Sequence, residues 1–444
     1  MLRRHPRNFV APLLAVMLGA CSASSNGATS GGGGSDGGVV LYLTDAGYRR
    51  AELVAELVNP QDGYAEDRLA HYATGAEGDW ERLPEWNPEA ERIAASELDA
   101  PGGAQVSVLG PGAAALEIPT DIRSEDDPRL VALGDKAFHN YPIQVVPFMN
   151  LALGSRAAAS YYGLWIDNDA GVGGLVRARL PDGGAGISLT CSTCHEAPVD
   201  GVLVDGRPND KFDFGAVQVA GSDSMPQDLV DAMSAWGPGR VDVTTTTGLE
   251  PVRIAELRPM YWLPYLHADA TVHHFDRTSL AIRVETLLIT DSYDTTRPPR
   301  EISLALAAYL ESLALNLPDE SVAAAASPQG AQVFAQACAR CHQEPGLTGP
   351  PVSLADVGTD PTIGLSLVRG TGTYRVPSLR GVGTRGALLH DGSVPSLAVM
   401  FDPARVNAGY PNGLHGVSAI PGHTFGLDLN DSDRTALIAY LSKL

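Results

Sequence analysis

The sequence predicts a mainly α-helical protein: two tandem homologous domains, 127–315 and 327–444, a small β-hairpin insertion in the first, and a mixed N-terminal extension over 40–126. Three observations predict it. The chain matches itself, in the same order, along both halves. The closing segment of each copy carries its large apolar residues on one helical face. Four of the five cysteines fall in two copies of Cys-x-x-Cys-His, one per copy.

Each copy opens with a helix. Asp127-Pro128 and Ser327-Pro328 supply a capping side chain followed by proline at the first helical position, and "GDKAF" (134–138) and "GAQVF" (330–334) then share Gly-x-x-x-Phe. Each copy closes with a helix as well. "ALAAYLESL" (305–313) aligns Leu306, Tyr309, Leu310 and Leu313, and "ALIAYLSKL" (436–444) aligns Leu437, Tyr440, Leu441 and Leu444. Asn430 with Asp433 caps the last of these. Between them "RIAELR" (253–258) matches "RVPSLR" (375–380), and each is followed about ten residues later by a histidine, His267 or His390. The Ala-rich "NLPDESVAAAA" joins the copies. Residues 142–190 interrupt the first, and "DAGVGGLVRARLPDGGAGISLT" reads as a β-hairpin around Pro-Asp-Gly-Gly. In the extension, "VVLYLT" reads as a strand and Trp80 and Trp86 as core; no chemistry attaches to it.

The N-terminus reads as a leader. Residues 1–20 begin with Arg3, Arg4 and Arg7 and continue in an apolar run too short to span a bilayer comfortably. "LGAC" resembles a lipoprotein lipobox, with Cys21 as the lipidated residue; an ordinary signal peptide with an incidental cysteine is the alternative. The Gly/Ser-rich stretch 21–39 is a flexible tether. These features predict a periplasm-facing lipoprotein of the cell envelope, and Ser22 after the cysteine favours the outer membrane. The formal charge of −21 excludes nucleic acid as a natural partner and suits either a cationic partner or a solvated acidic surface.

Export places the remaining cysteines in an oxidising compartment. Cys191, Cys194 and His195 form the first Cys-x-x-Cys-His, and Cys338, Cys341 and His342 the second. Two cysteines three apart lie on one side of a helical turn, so both can add to the vinyl groups of one porphyrin edge while the next histidine ligates the iron. A thioredoxin-like pair would need a βαβ setting, which neither copy has. A four-cysteine zinc site brings its pairs within about 20 residues, whereas about 144 separate these. Plain disulfides would not place a histidine after both pairs. The expectation is two covalently attached haems c, with His195 and His342 as iron ligands. Arg253, Arg258, Arg375 and Arg380 suit haem propionates, since arginine offers a charged bidentate donor; ordinary surface ion pairs would also account for them.

"TYRVPSLRGVGTRGALLHDGSVPSLAVMFDP" (373–403) and the closing "GLDLNDSDRTALIAYLSKL" resemble the C-terminal haem domain of bacterial di-haem cytochrome c peroxidases. They also resemble the relatives of those enzymes, the di-haem enzymes that mature tryptophan tryptophylquinone and the rubber oxygenases. The resemblance covers 127–444 and implies two cytochrome c-like domains facing each other, the first haem reacting with peroxide or oxygen and the second passing electrons. Where the peroxidases carry a Trp-Asp-Gly-Arg stretch, this chain reads "LHADATVHHF", with His267 or Ala268 in the place of the Trp. Glu285 is the nearest candidate for the peroxidatic glutamate, or else a surface or ion-paired residue. The sixth-ligand methionine position holds Ala404, which leaves Met400, one helical turn earlier, and His423, which would make a bis-histidine haem. For the first haem, His267, His273, His274 and an open site remain as alternatives. His267 and His390 would line the interface between the domains or serve structurally.

Three functional readings follow. An enzyme, peroxidase-like or oxygenase-like, would take a small oxidant at the first haem. A pure electron carrier would exchange electrons with a redox partner protein or a small donor. A haem-based sensor or binding module would bind a ligand without turnover.

Overall fold

The computed structural model describes residues 36–222, 224–242, 250–413 and 416–444. The leader, the lipobox with Cys21 and most of the tether lie outside the described residues. Among the described residues, no helix is long and apolar enough to cross a membrane.

The extension begins with three helices, α1 (Asp36–Thr44), α2 (Ala46–Glu56) and α3 (Gly63–His71). The expected strand "VVLYLT" is therefore wrong: it lies in α1. A short apolar run carries no period of its own, and here packing decides. Val39 and Tyr42, three apart on one helical face, are fully buried. The Tyr42 hydroxyl donates to Glu285 Oε2 at 2.9 Å. Asp45 caps α2 and Asp62 caps α3 through the Tyr48 and Ala65 amides. Trp80 is buried as expected, while Trp86 is half-buried against Tyr141.

The extension shares its core with the first half of the chain: Val39, Tyr42, Leu53, Tyr64 and Tyr72 join Leu280, Ile289, Leu304 and Leu306 in one cluster. It also straps the two halves together. The Val58 amide donates to Thr271 in the first half (3.1 Å), while the Gly63 and Tyr64 amides donate to Leu367 and Val368 in the second (3.0 and 2.7 Å).

Next come strand β1 (Ala90–Arg92), helix α4 (Pro128–Asn140), strand β2 (Gln144–Val145), and the hairpin β3 (Val176–Arg179) and β4 (Ala185–Leu189). The hairpin lies where the alternation placed it. Leu180 closes on Gly184 at 3.0 Å, and Gly183 takes φ +87°, which the Pro-Asp-Gly-Gly turn requires. The four strands form an antiparallel sheet in the order β1-β3-β4-β2, so the insertion and the extension are one structural unit.

The chain continues through the short helix α5 (Cys191–His195), strands β5 (Glu196–Val199) and β6 (Val202–Asp205), and helices α6 (Arg277–Asp291) and α7 (Arg300–Ser312). It ends with α8 (Pro328–Ala337), the strand pair β7 (Gly349–Ser353) and β8 (Thr373–Val376), and α9 (Asp431–Leu441).

The sequence repeat reappears as a repeat of contacts. A Cβ at Gly134 would sit 2.0 Å from the Ala305 carbonyl and 2.6 Å from Tyr309 Cβ; one at Gly330 would sit 2.1 Å from the Ala436 carbonyl and 2.7 Å from Tyr440 Cβ. Phe138 lies 5.4 Å from Tyr309, and Phe334 lies 5.3 Å from Tyr440. Glycine thus lets α4 cross α7, and α8 cross α9, at backbone contact. Asp127 caps α4 as expected, but the Ser327 hydroxyl does not cap α8; it donates to the Ala436 carbonyl at 2.9 Å and ties the same crossing. Asn430 caps α9 through the Asp433 amide. Gly330→Ala is expected to destabilise the protein by about 1–3 kcal/mol, against the gain of about 1 kcal/mol that alanine gives in an open helix. Urea unfolding of the variant checks this.

Candidate functional site

The first Cys-x-x-Cys-His is held by its own threonines. Thr190 donates its hydroxyl to the Gly174 carbonyl at 2.8 Å, and the Thr190 amide donates to Thr193 Oγ1 at 3.1 Å, so α5 starts in a fixed place. Gly174, at φ +63°, passes so close that a Cβ would lie 2.2 Å from Ser192 Oγ. In the second motif the Cys341 and His342 amides both close on the Cys338 carbonyl at 3.1 Å, one helical turn. Among the described residues all four cysteines are free thiols. Burial pushes the Cys191 and Cys194 thiols up to about 12 and that of Cys338 to about 11, the opposite of the lowered values that reactive redox pairs need.

Both histidines that follow are oriented the same way. His195 Nδ1 faces the Ala255 carbonyl at 3.0 Å, and His342 Nδ1 faces the Leu347 carbonyl at 3.1 Å. Only a protonated nitrogen can face a carbonyl, so each ring presents Nε2 with its lone pair free. Burial keeps both rings neutral, pushing His195 down to about 4.

The sides opposite these rings differ. The His423 ring stands 6.4 Å from that of His342. Two imidazoles sharing one metal at about 2.0–2.1 Å have ring centres about 6.4 Å apart. His423 Nδ1 is buried without a hydrogen-bond partner, and burial, then the neighbouring His342, pushes its pKa down to about 4. Its loop is gripped by Arg405, which is fully buried and donates to the carbonyls of Ile420 (2.7 Å), Gly422 (2.9 Å) and His423 (2.8 Å), and through Nε to that of Met400 (3.0 Å). Met400 itself packs in the core with Phe401, Leu437 and Tyr440.

Among the described residues no imidazole stands opposite His195 in this way. His267 Nε2 accepts from Arg283 Nε at 2.6 Å, and its ring meets Tyr64 edge-on. His274 is buried with Nδ1 on the Leu263 carbonyl at 2.7 Å. His273 is stacked with Phe275. Glu285 is not at the surface: it is 1 % exposed, bonded by Tyr42 and Tyr72 and 3.4 Å from Arg300.

The matched Arg-x-x-x-Leu-Arg segments meet across the two halves reciprocally. The Arg253 amide donates to the His390 carbonyl, and the Arg375 amide donates to the Ala268 carbonyl, each at 2.9 Å. His267 and His390 therefore both flank this junction, and His390 stacks on Tyr374 at 4.5 Å. The four arginines split. Arg258 is paired with Glu256 at 2.6 and 3.0 Å. Arg380 donates to the Pro345 and Pro318 carbonyls and lies over Trp262. Arg253 and Arg375 are different: Arg253 Nε and Nη1 and Arg375 Nε are buried without partners. Arg385, which sequence reasoning missed, joins them with an unpartnered Nε. Burial, and then repulsion among these guanidinium groups, lowers Arg375 to about 10 and Arg385 to about 9. Unmet donors on buried cations call for an anion, and haem propionates have that charge and shape.

Thiols on one turn, an imidazole with a free Nε2 and unmet cationic donors together fit covalently bound haem, and so a c-type haem protein. Residues 327–444 match the family model for cytochrome c, so the chain ends in a cytochrome c domain. The match supports a c-type cytochrome with covalently bound haem c and its iron, serving electron transfer. Neither the characterised proteins nor the solved structures compared with it contain a match.

Trp262 and Arg405 were also missed by sequence reasoning. Trp262 packs so closely on Gly346 of the second half that a Cβ there would lie 2.3 Å from its own. Arg405 carries no motif, and nothing in the sequence around it singled it out.

Proposed function

We propose that this is an exported di-haem c-type cytochrome with oxidoreductase activity, lipid-anchored through Cys21 on the periplasmic side of the outer membrane. Its two haem domains are 127–315 and 327–444. Haem supplies one-electron chemistry at iron, and the protein sets where and with what it reacts. Cys191 and Cys194 attach the first haem and His195 ligates it; Cys338, Cys341 and His342 do the same for the second. His423 is the second ligand on the His342 side. Arg253, Arg375 and Arg385 hold propionates at the junction of the halves. The carrying observation is the asymmetry of the two histidines: among the described residues an imidazole faces His342 and none faces His195. A ligand pair on one side suits electron relay, and a free side on the other suits a small oxidant such as peroxide or oxygen. Electrons would come from a redox partner protein or a small donor.

The test is haem counting together with optical and EPR spectra of the oxidised and half-reduced protein, with and without peroxide. Two haems per chain are expected, one low-spin and one that changes on adding peroxide or cyanide. A single haem would end the di-haem reading. Two low-spin haems, both inert, would leave a pure electron carrier.

A further inference from the structure

Beside the first cysteine motif lies a cluster that haem binding does not use. His139, on α4, turns Nε2 to Asp205 Oδ1 at 3.1 Å and Glu196 Oε1 at 3.7 Å. Its other nitrogen, Nδ1, faces the Asp135 backbone carbonyl at 2.9 Å, one turn back on the same helix, and also lies 3.0 Å from Asp135 Oδ1. The Tyr309 hydroxyl donates to Asp205 Oδ2. Glu196 is 4 % exposed, and its Oε2, in this cluster, has no hydrogen-bond partner.

We infer that His139 Nε2, Asp205 and Glu196 form a binding site for a divalent transition-metal cation of the zinc class, with Asp135 as the positioning residue. Donors about 2.0–2.1 Å from one metal lie roughly 3–3.5 Å apart, and 3.1 and 3.7 Å come within a few tenths of an ångström of that. One imidazole and two carboxylates suit zinc-class ions, whereas calcium and magnesium select oxygen alone. A carbonyl or carboxylate on the far nitrogen of a ligating histidine fixes its tautomer and turns the lone pair of Nε2 to the metal, as the backbone carbonyl and the carboxylate of Asp135 do here. The two carboxylates balance a dication. The unpartnered Glu196 oxygen has a use there that no protein donor supplies. Solvent reaches the site, since the His139 and Asp205 side chains are 13 % and 24 % exposed.

The chain provides its own control. The matching helix α8 carries Ala331 and Ala335 where α4 carries Asp135 and His139, yet it makes the same glycine crossing. Packing therefore does not require the Asp-His pair.

The experiment is zinc titration of the haem-loaded protein after treatment with a chelator, read by calorimetry and by elemental analysis of zinc against iron. One zinc per chain is expected. The double variant Asp135→Ala/His139→Ala, which copies α8, should lose at least about 100-fold in affinity, and Asp135→Ala alone, which keeps the carbonyl on Nδ1, about 10-fold at most. Iron content reports whether each variant still folds, and Asp205→Asn supplies the same comparison if the double variant does not. No bound zinc would overturn the site, leaving only an imidazolium held by carboxylates. Undiminished binding in the variants, or calcium competing equally with zinc, would overturn it as well. None of these outcomes alters the haem count, so this inference and the di-haem reading fail separately.

Discussion

With His423 as the proposed second ligand, His423→Gly is expected to convert the haem held by His342 from low-spin to one with an exchangeable position, with added imidazole restoring the original spectrum. The loop should survive the change. Arg405 grips carbonyls at Ile420, Gly422 and residue 423, which glycine keeps, and the His423 Nδ1 makes no hydrogen bond to lose. His423 sits at φ +41°, a backbone region that glycine enters at no steric cost and alanine does not. Optical and EPR spectra of the oxidised variant, before and after imidazole, provide the measurement. An unchanged low-spin spectrum would remove His423 as a ligand and turn attention to Met400, whose carbonyl the same arginine holds.

The second large effect is on stability in acid. His267, His274 and His390, which the proposed haem ligation does not use, are held neutral by burial, His267 well below its ordinary value. The unfolded chain takes up these protons near pH 6.5 and the folded chain does not. The stability they contribute is therefore complete above about pH 6.5 and is lost as pH falls below it. Each such proton is worth about 1.4 kcal/mol per pH unit, a steep slope against a typical total of about 5–15 kcal/mol. Buried acids act in the opposite sense: Asp269, pushed up to about 6 by burial, favours the fold as pH falls. The histidine part is isolated by His267→Asn, which keeps an acceptor for Arg283 and a residue type that tolerates positive φ, and should flatten the slope by up to one proton below about pH 6.5. Urea midpoints at several pH values measure it, and equal slopes for both chains would show that the ring at 267 is not held neutral.

Much of the site was legible because covalent attachment needs residues close in sequence. Cys-x-x-Cys-His is a one-turn device, so Cys191 to His195 and Cys338 to His342 announce themselves without a fold. The repeat was legible for a related reason. Gly134 and Gly330 are required by backbone contact, and Phe138, Tyr309, Phe334 and Tyr440 fill the same crossing twice. The hairpin was legible from alternation and from a turn that needs glycine at positive φ.

What failed was what depends on distant partners. "VVLYLT" has strand-like composition, and its helical state is decided by Tyr42 reaching Glu285, more than two hundred residues away. Ser327 stands at a capping position, but the Ala436 carbonyl offers its hydroxyl another partner.

Both Cys-x-x-Cys-His motifs and the duplicated helical crossings can be read from the order of amino acids alone, because each rests on spacing within a turn or on a glycine that nothing larger can replace. Which arginines remain unpartnered, which histidine stands opposite which, and that the extension straps the halves together emerge from the folded molecule. Those depend on burial and on charges met or left unmet between segments far apart in the chain, and no local pattern encodes them.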